Sequence, residues 1–353
     1  MKETIKGLIE SIKRDAPDQR IKVMHVCGSH EHTVQRWGLR GILPENIEIF
    51  AGPGCPVCVC PTNEVGEAIE LARKGVIIVT YGDMIRVPTP YGSLNDAVAD
   101  GADIRVIYGP SDALKIAQDN PDREVVFFSV GFETTVAPLA GLIVAGDIPK
   151  NLSFLTSHRL TPPAMELLLG IGDVRINGFI APGHVSVIIG ADAWRVFPDA
   201  YRMPVAVAGF EPDQFLLGLL LVIHQIRKGE ARLDNAYPSV VRPEGNLKAI
   251  KAIEQTFDVV STWWRGIGRI PRSGLILKSS YSVWDARKRF GISKAPEKRE
   301  LPPGCSCHLV MLGKIYPNQC PLFGKKCTPS TPYGPCMVSQ EGTCLIWSRY
   351  RTI

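Results

Sequence analysis

The sequence predicts an α/β protein: two parallel-sheet α/β domains facing a cleft, plus a less regular, cysteine-rich C-terminal region. Three observations predict it. Short runs rich in Val, Ile and Phe recur at 22–26, 47–51, 76–80, 104–107, 125–130, 153–156, 178–181 and 205–208. They are apolar almost throughout, which suits parallel strands covered on both faces. Helical patterns separate them. After about residue 228 the character changes: Gly, Pro and aromatic residues rise, and the last 50 residues hold six of the ten cysteines.

The helical patterns carry ordinary start and stop signals. The segment 63–73 follows a Thr/Asn start and stops at Lys74-Gly75. The segment 111–119 opens on a Ser cap with acidic Asp112 behind it. Thr161-Pro162-Pro163 opens a helix through 169, with proline in the first turn. Strands alternating with helices of this length imply βαβ units. At 353 residues the chain exceeds what one core usually serves. The expected division is 1–118, 119–228 and 229–353.

Composition narrows the function classes. Hydrophobic residues make up 45% and charged residues 21%, with a net charge of +5, so a folded globular chain is expected. The most basic segment, 288–299, reads as a solvated linker and not as a nucleic-acid patch. No run of 18 apolar residues predicts a membrane span, and the N-terminus lacks the apolar stretch of a secretion signal. The expected location is the cytoplasm, where structural disulfides are uncommon, so ten cysteines call for a metal or redox explanation.

The chemistry-bearing residues fall where the strands end. In the first set these are Cys27-Gly28-Ser29-His30, Gly52-Pro53-Gly54-Cys55 and Gly82-Asp83. In the second they are Gly131-Phe132-Glu133, Ser157-His158, Pro182-Gly183-His184 and Gly209-Phe210-Glu211, so Gly-Phe-Glu occurs twice. Ligands bind open α/β sheets at the carboxyl ends of the strands. Walker A and serine-triad patterns are absent, and no Gly-x-Gly-x-x-Gly follows the first strand, so a nucleotide cofactor is not supported.

The C-terminal cysteines run Cys305-x-Cys307-x12-Cys320-x6-Cys327-x8-Cys336-x7-Cys344. Thiolates at this density select zinc or iron–sulfur. Zinc sites usually show two close Cys pairs, and here there is one, separated by a single residue. Six cysteines exceed the four that one cluster needs, leaving two for a dithiol or disulfide. A [4Fe–4S] cluster is the favoured reading, structural zinc and buried free thiols are the alternatives, and spacing alone does not choose the four ligands.

Cys55-Pro56-Val57-Cys58 is a C-x-x-C pair on a loop entering a helix, a location that favours the thiolate needed for disulfide exchange or metal binding. Cys60 adds a third thiol. Cys27, His30 and His32 fall within six residues, which suits either a metal site or a buried Cys beside polar helix-start residues. A lone Glu133 or His184 is more often structural, since an acidic first turn stabilises any helix. Convergence on one cleft raises the functional reading.

Together these stretches resemble the HypD family of hydrogenase maturation factors. The resemblance rests on Cys27-Gly28-Ser29-His30-Glu31, Gly52 to Cys58, Gly131 to Thr135, Pro182 to Ser186, Cys320 to Gly324, Cys327-Thr328-Pro329 and Gly334 to Cys344, in the family's order. It implies a monomeric scaffold that partners HypC and HypE to build the Fe(CN)2CO group of [NiFe]-hydrogenase, destined for the large subunit. It implies that Cys27 is a ligand of the assembled iron with His30 close by, that Cys55 and Cys58 form a thiol–disulfide pair, and that Glu133 and His184 line the cleft. It implies Cys305, Cys320, Cys327 and Cys344 as [4Fe–4S] ligands, Cys307 and Cys336 as the extra pair, and an electron donor that reduces Cys55–Cys58 by way of the cluster. Cys60 and His32 stand outside the family motif. The alternative from the same residues is a ferredoxin-dependent disulfide reductase; a zinc-stabilised interaction protein is a third.

Overall fold

The computed structural model describes residues 2–170, 175–292 and 301–350. Of the basic segment 288–299, residues 293–299 lie outside the described residues.

The eight apolar runs all form strands: β1 (Ile21–His25), β2 (Ile47–Ala51), β3 (Ile77–Thr80), β4 (Ile104–Val106), β5 (Val125–Gly131), β6 (Leu152–Arg159), β7 (Gly178–Pro182) and β8 (Val205–Ala208). Three further strands follow, β9 (Leu233–Asn235), β10 (Phe257–Trp264) and β11 (Gly268–Leu277). The first sheet has the order β2-β1-β7-β8-β9 and is parallel throughout. The second has the order β10-β11-β6-β5-β3-β4. There β3 to β6 are parallel, and the β10–β11 hairpin joins β6 antiparallel. Central strands such as β3, β5 and β6 are buried at every residue, which is why they read as unbroken apolar runs.

The sheets do not follow the chain in contiguous blocks. It begins in the first sheet with β1 and β2, builds β3 to β6 in the second, returns for β7 to β9, and ends in the second with β10 and β11. The boundary expected at 118/119 therefore falls inside the second sheet, between β4 and β5. Side-chain pattern reports that a strand is buried, not which strand it pairs with, so this interleaving is invisible in one sequence.

The predicted helices appear as Thr62–Arg73, Pro110–Asp119 and Thr161–Gly170. The region after 229 is more ordered than expected at its start, because the hairpin lies within it. Its end is held by short turns and the helix Thr343–Arg349. One apolar core joins Val57, Cys58 and Cys60 to Trp264, Cys307, Cys336, Met337 and Cys344. The C-x-x-C segment and the C-terminal cysteines thus share a single buried environment.

Candidate metal and thiol site

Cys27 ends the chain's run out of β1 and sits at the N-cap of the helix Gly28–Arg36, in extended backbone conformation. Two other segments press on it at glycines. A Cβ on Gly54 would lie 2.3 Å from the Val26 carbonyl carbon and 2.4 Å from the Cys27 nitrogen. A Cβ on Gly28 would lie 2.4 Å from Glu341 Cβ. Only glycine permits both approaches. Cys27 is therefore the meeting point of β1, the C-x-x-C loop and the C-terminal segment.

Cys55 and Cys58 are joined as a disulfide across the helix Pro56–Val59, with Cα atoms 5.3 Å apart. The Cys58 N–H donates to Cys55 Sγ at 3.2 Å, so Cys55 also caps this turn. Both residues are buried. Cys60 is a free buried thiol 3.2 Å from Ser157 Oγ, and burial pushes it up to about 12.

His30 is wholly buried, its Nε2 3.0 Å from the Gly209 carbonyl and 3.2 Å from that of Ala208. Burial, with His25 nearby, holds it down at about 3. It is a neutral imidazole whose Nε2–H donates to these carbonyls. Its ring stacks on Phe210 with centroids 4.9 Å apart, and the centroid of the exposed His184 ring lies 3.9 Å from that of Phe210. Both expected histidines thus meet at one aromatic residue, across the ends of β1, β7 and β8. His32 does not join them: its Nε2 lies 2.8 Å from the Tyr350 hydroxyl.

Glu133 is placed differently from the expectation that it lines the cleft. Its carboxyl is buried and accepts from the Thr161 N–H at 2.7 Å and the Thr161 hydroxyl at 2.8 Å. Burial raises it to about 7. Its neighbours Thr134 and Thr135 do face a cavity of about 660 Å³, with Pro56, Val57, Asp83 and Glu341.

Glu341 is a residue the sequence reading did not single out. It packs on Gly28 and lines that cavity. Burial, with Asp83 nearby, raises its carboxyl to about 7. Burial and the charge of Glu341 together push the Cys27 thiol up to about 12. Without a cation Cys27 is a neutral thiol; a bound metal ion would displace the proton. The available signal was Glu341's place inside the family-matching stretch Gly334 to Cys344, which carries no chemistry by itself.

The C-terminal cysteines form a second centre. The sulfurs of Cys307, Cys336 and Cys344 all lie within 4.8 Å of one another, and all three are buried. Cys305 Sγ is 3.2 Å from Cys307 Sγ. Cys327 Sγ accepts from the Tyr333 N–H at 3.4 Å, and Cys305 and Cys307 act on its charge. A Cβ on Gly334 would come within 2.6 and 2.7 Å of the Cys307 and Cys305 sulfurs, so glycine cradles the group. Contacts with the Cys307 and Cys344 thiols, with the Cys344 N–H, hold the Cys336 thiol below its ordinary range, and contacts with Cys307 and Cys336 push Cys344 up. This soft, buried donor set suits a thiolate-bound metal or cluster. Of the four ligands the resemblance implies, Cys305, Cys327 and Cys344 lie at this centre; Cys320 is only partly buried and outside the close triad, while Cys307 and Cys336 are inside it.

The HypD family, described as a hydrogenase formation hypA family, matches residues 3–351. The chain belongs to the HypD family. It is 42% identical to the hydrogenase maturation factor HypD of Azotobacter vinelandii over 98% of this chain and 94% of that protein. It is 41% identical to HypD of Escherichia coli over 99% of this chain and 96% of that protein. It is also 42% identical to a hydrogenase expression/formation protein of Methanocaldococcus jannaschii over 99% and 98%. Hydrogenase maturation is therefore the process this chain serves. Among the described residues no helix is long and apolar enough to cross a membrane.

Proposed function

We propose that this chain is a cytoplasmic scaffold which, with HypC, holds iron through Cys27 while its CN and CO ligands are attached, HypE supplying cyanide. The finished group passes to the large subunit of [NiFe]-hydrogenase. The observation that carries the reading is the packing of three segments at Cys27: strand β1, the disulfide loop through Gly54, and the C-terminal segment through Glu341. A metal bound there has a redox-active thiol pair in the next segment of chain. Reduction of Cys55–Cys58 takes two electrons and two protons and leaves two thiols, the electrons coming from a low-potential one-electron donor. A [4Fe–4S] cluster on the C-terminal cysteines would supply one-electron transfer beside that pair.

Infrared spectroscopy of the chain purified anaerobically with its HypC partner tests the reading. Sharp bands from metal-bound CN and CO are expected. Their absence from a brown preparation would favour the disulfide reductase, as would ready turnover of small disulfides by the isolated chain.

Cys55→Ser should stop maturation while leaving the cluster absorption intact. Serine at this N-cap can still accept the Cys58 N–H, so the fold is preserved. Loss of the cluster in that variant would refute the division of labour. For the ligands, the family-implied set predicts that Cys320→Ser loses the cluster absorption and Cys336→Ser keeps it. The reverse result would assign the cluster to the close triad of Cys307, Cys336 and Cys344.

A further inference from the structure

The β10–β11 hairpin has one face open and its tip in the core that holds the cysteines. The open face borders a cleft of about 660 Å³, whose opposite wall is the start of the helix Thr62–Arg73. Trp263 is 41% exposed and Ile276 47% exposed on this cleft. Arg269 stands directly opposite Trp263 in the antiparallel register, and Lys288 also lines the cleft.

The charges of the cleft fall into two groups. The deeper arginines are committed to the protein itself. Arg159 donates to Glu64 at 2.8 Å and to the Trp263 carbonyl at 3.0 Å. Arg287 donates to Glu67 at 2.7 Å and to the Thr156 carbonyl at 2.9 Å. Asp285 is engaged as the cap of the helix Ala286–Arg289. Arg269 and Lys288 are exposed, and among the described residues neither forms an ion pair. A small anion would find the deep guanidiniums occupied. What stays available is an aromatic and aliphatic centre with a basic rim, the composition of a protein-docking patch.

The tip connects this patch to both thiol centres. Trp264, next to Trp263, is buried in the core that contains Cys58, Cys307 and Cys336. Two peptide links from Trp263, the Arg265 backbone N–H donates to the Val59 carbonyl at 2.8 Å, and Val59 is bonded to Cys58. On the other side of the tip, a Cβ on Gly266 would lie 3.0 Å from Cβ of His308, the neighbour of Cys307. An electron arriving at Trp263 is thus a few bonds and one hydrogen bond from the disulfide helix. We propose that this hairpin face is the docking site of an acidic one-electron carrier protein, which delivers electrons beside Trp263. Opposite charge steers and orients such a carrier, and a small patch suits a transient electron-transfer encounter. Two encounters oxidise two carriers and, with two protons, open Cys55–Cys58 to two thiols. The inference rests on the redox reading above.

The test uses the full chain, purified anaerobically, with Trp263→Ala and the double variant Arg269→Glu/Lys288→Glu, each checked for folding by circular dichroism. A third variant, Lys2→Glu/Lys13→Glu, makes the same charge change on the helix Lys2–Asp15, away from the cleft. The probes are a reduced acidic [2Fe–2S] ferredoxin and reduced methyl viologen, a small cation that needs no docking face. Stopped-flow absorption follows oxidation of each carrier, and alkylation with mass spectrometry counts the thiols opened from Cys55–Cys58. Ferredoxin should reduce wild type at a rate that falls as salt rises. Trp263→Ala and Arg269→Glu/Lys288→Glu should each slow it at least about fivefold at low salt, and Lys2→Glu/Lys13→Glu less than about twofold. Methyl viologen should reduce every variant no more slowly than wild type. A cleft variant that ferredoxin reduces within about twofold of wild type overturns the proposal. So does an equal slowing by methyl viologen or by Lys2→Glu/Lys13→Glu. A wild type that methyl viologen reduces and ferredoxin does not overturns this inference alone. A wild type that takes no electrons from methyl viologen and opens no disulfide overturns the underlying reading and this inference together.

Discussion

Cys27→Ala is expected to abolish the CN and CO infrared bands of the HypC-bound chain and to reduce hydrogenase maturation more than about a hundredfold. Groups one step removed from a metal already cost about 10–100-fold when lost, and a direct ligand should cost more. The fold should barely notice. Cys27 is partly exposed and makes no side-chain capping hydrogen bond to the helix it starts, and its thiol's hydrogen-bond contacts are local ones with Ser29 and His30, so alanine removes little that the fold depends on. The cysteines of the second centre lie on other segments, so the brown colour should persist. Infrared and visible spectra of one preparation decide the matter. Retained CN and CO bands in the alanine variant would move the iron off Cys27 and leave the convergence of segments there without a function. Loss of the brown colour together with the bands would instead mean that Cys27 supports the fold of the C-terminal region.

Much of this site was legible in residue type. A buried parallel strand must be apolar along its length, so all eight core strands could be placed within a few residues, and the functional residues then fell at their ends. His30 and His184 do meet, through Phe210 of the second Gly-Phe-Glu. What was not legible was pairing. Whether β5 lies beside β3 or β1 changes nothing in the side-chain pattern of β5. Glu133 shows the other limit. A glutamate that opens a helix in a buried setting has the same sequence signature whether it faces a ligand or, as here, holds the Thr161 backbone. Glu341 carries no local chemical pattern, because its setting is made by Gly28 and Asp83, more than a hundred residues away.

The interleaved topology has a mechanical consequence. Cys27 belongs to the first sheet, the disulfide helix leads from the first sheet into the second, and the C-terminal region packs against both. Side-chain contacts, not one continuous domain, must hold these parts in register. The Cys27 helix meets the end of the chain through His32 and Tyr350 and, in the buried part of the contact, through one carboxylate that accepts from Trp347.

That carboxylate, Glu31, is the site of the largest expected stability loss. It is fully buried and accepts from His25 Nε2 at 2.8 Å, from Arg40 at 2.8 and 3.0 Å and from Trp347 Nε1 at 2.5 Å. Arg40 in turn lies over the rings of Tyr316 and Trp347. Glu31→Ala leaves a partly buried arginine without its carboxylate, Arg40 keeping only the Ile49 carbonyl, and takes the acceptor from a buried histidine and an indole N–H, a change that typically costs about 3–5 kcal/mol. Burial works against the charged carboxylate, but Arg40 and His25 outweigh it and hold Glu31 down at about 2, below its ordinary 4.5. A depressed acid contributes stability that is present above the unfolded value and lost as pH falls through the folded one. The contribution, on the order of 3 kcal/mol, should therefore be intact above about pH 4.5 and fade between 4.5 and 2. Urea unfolding of wild type and Glu31→Ala at several pH values checks both parts: a wide gap near neutrality that narrows steadily in acid. A gap that stays constant down to pH 2 would mean that the loss comes from packing and not from the charge, and that the helix bearing Cys27 is tied to the C-terminal helix by shape alone.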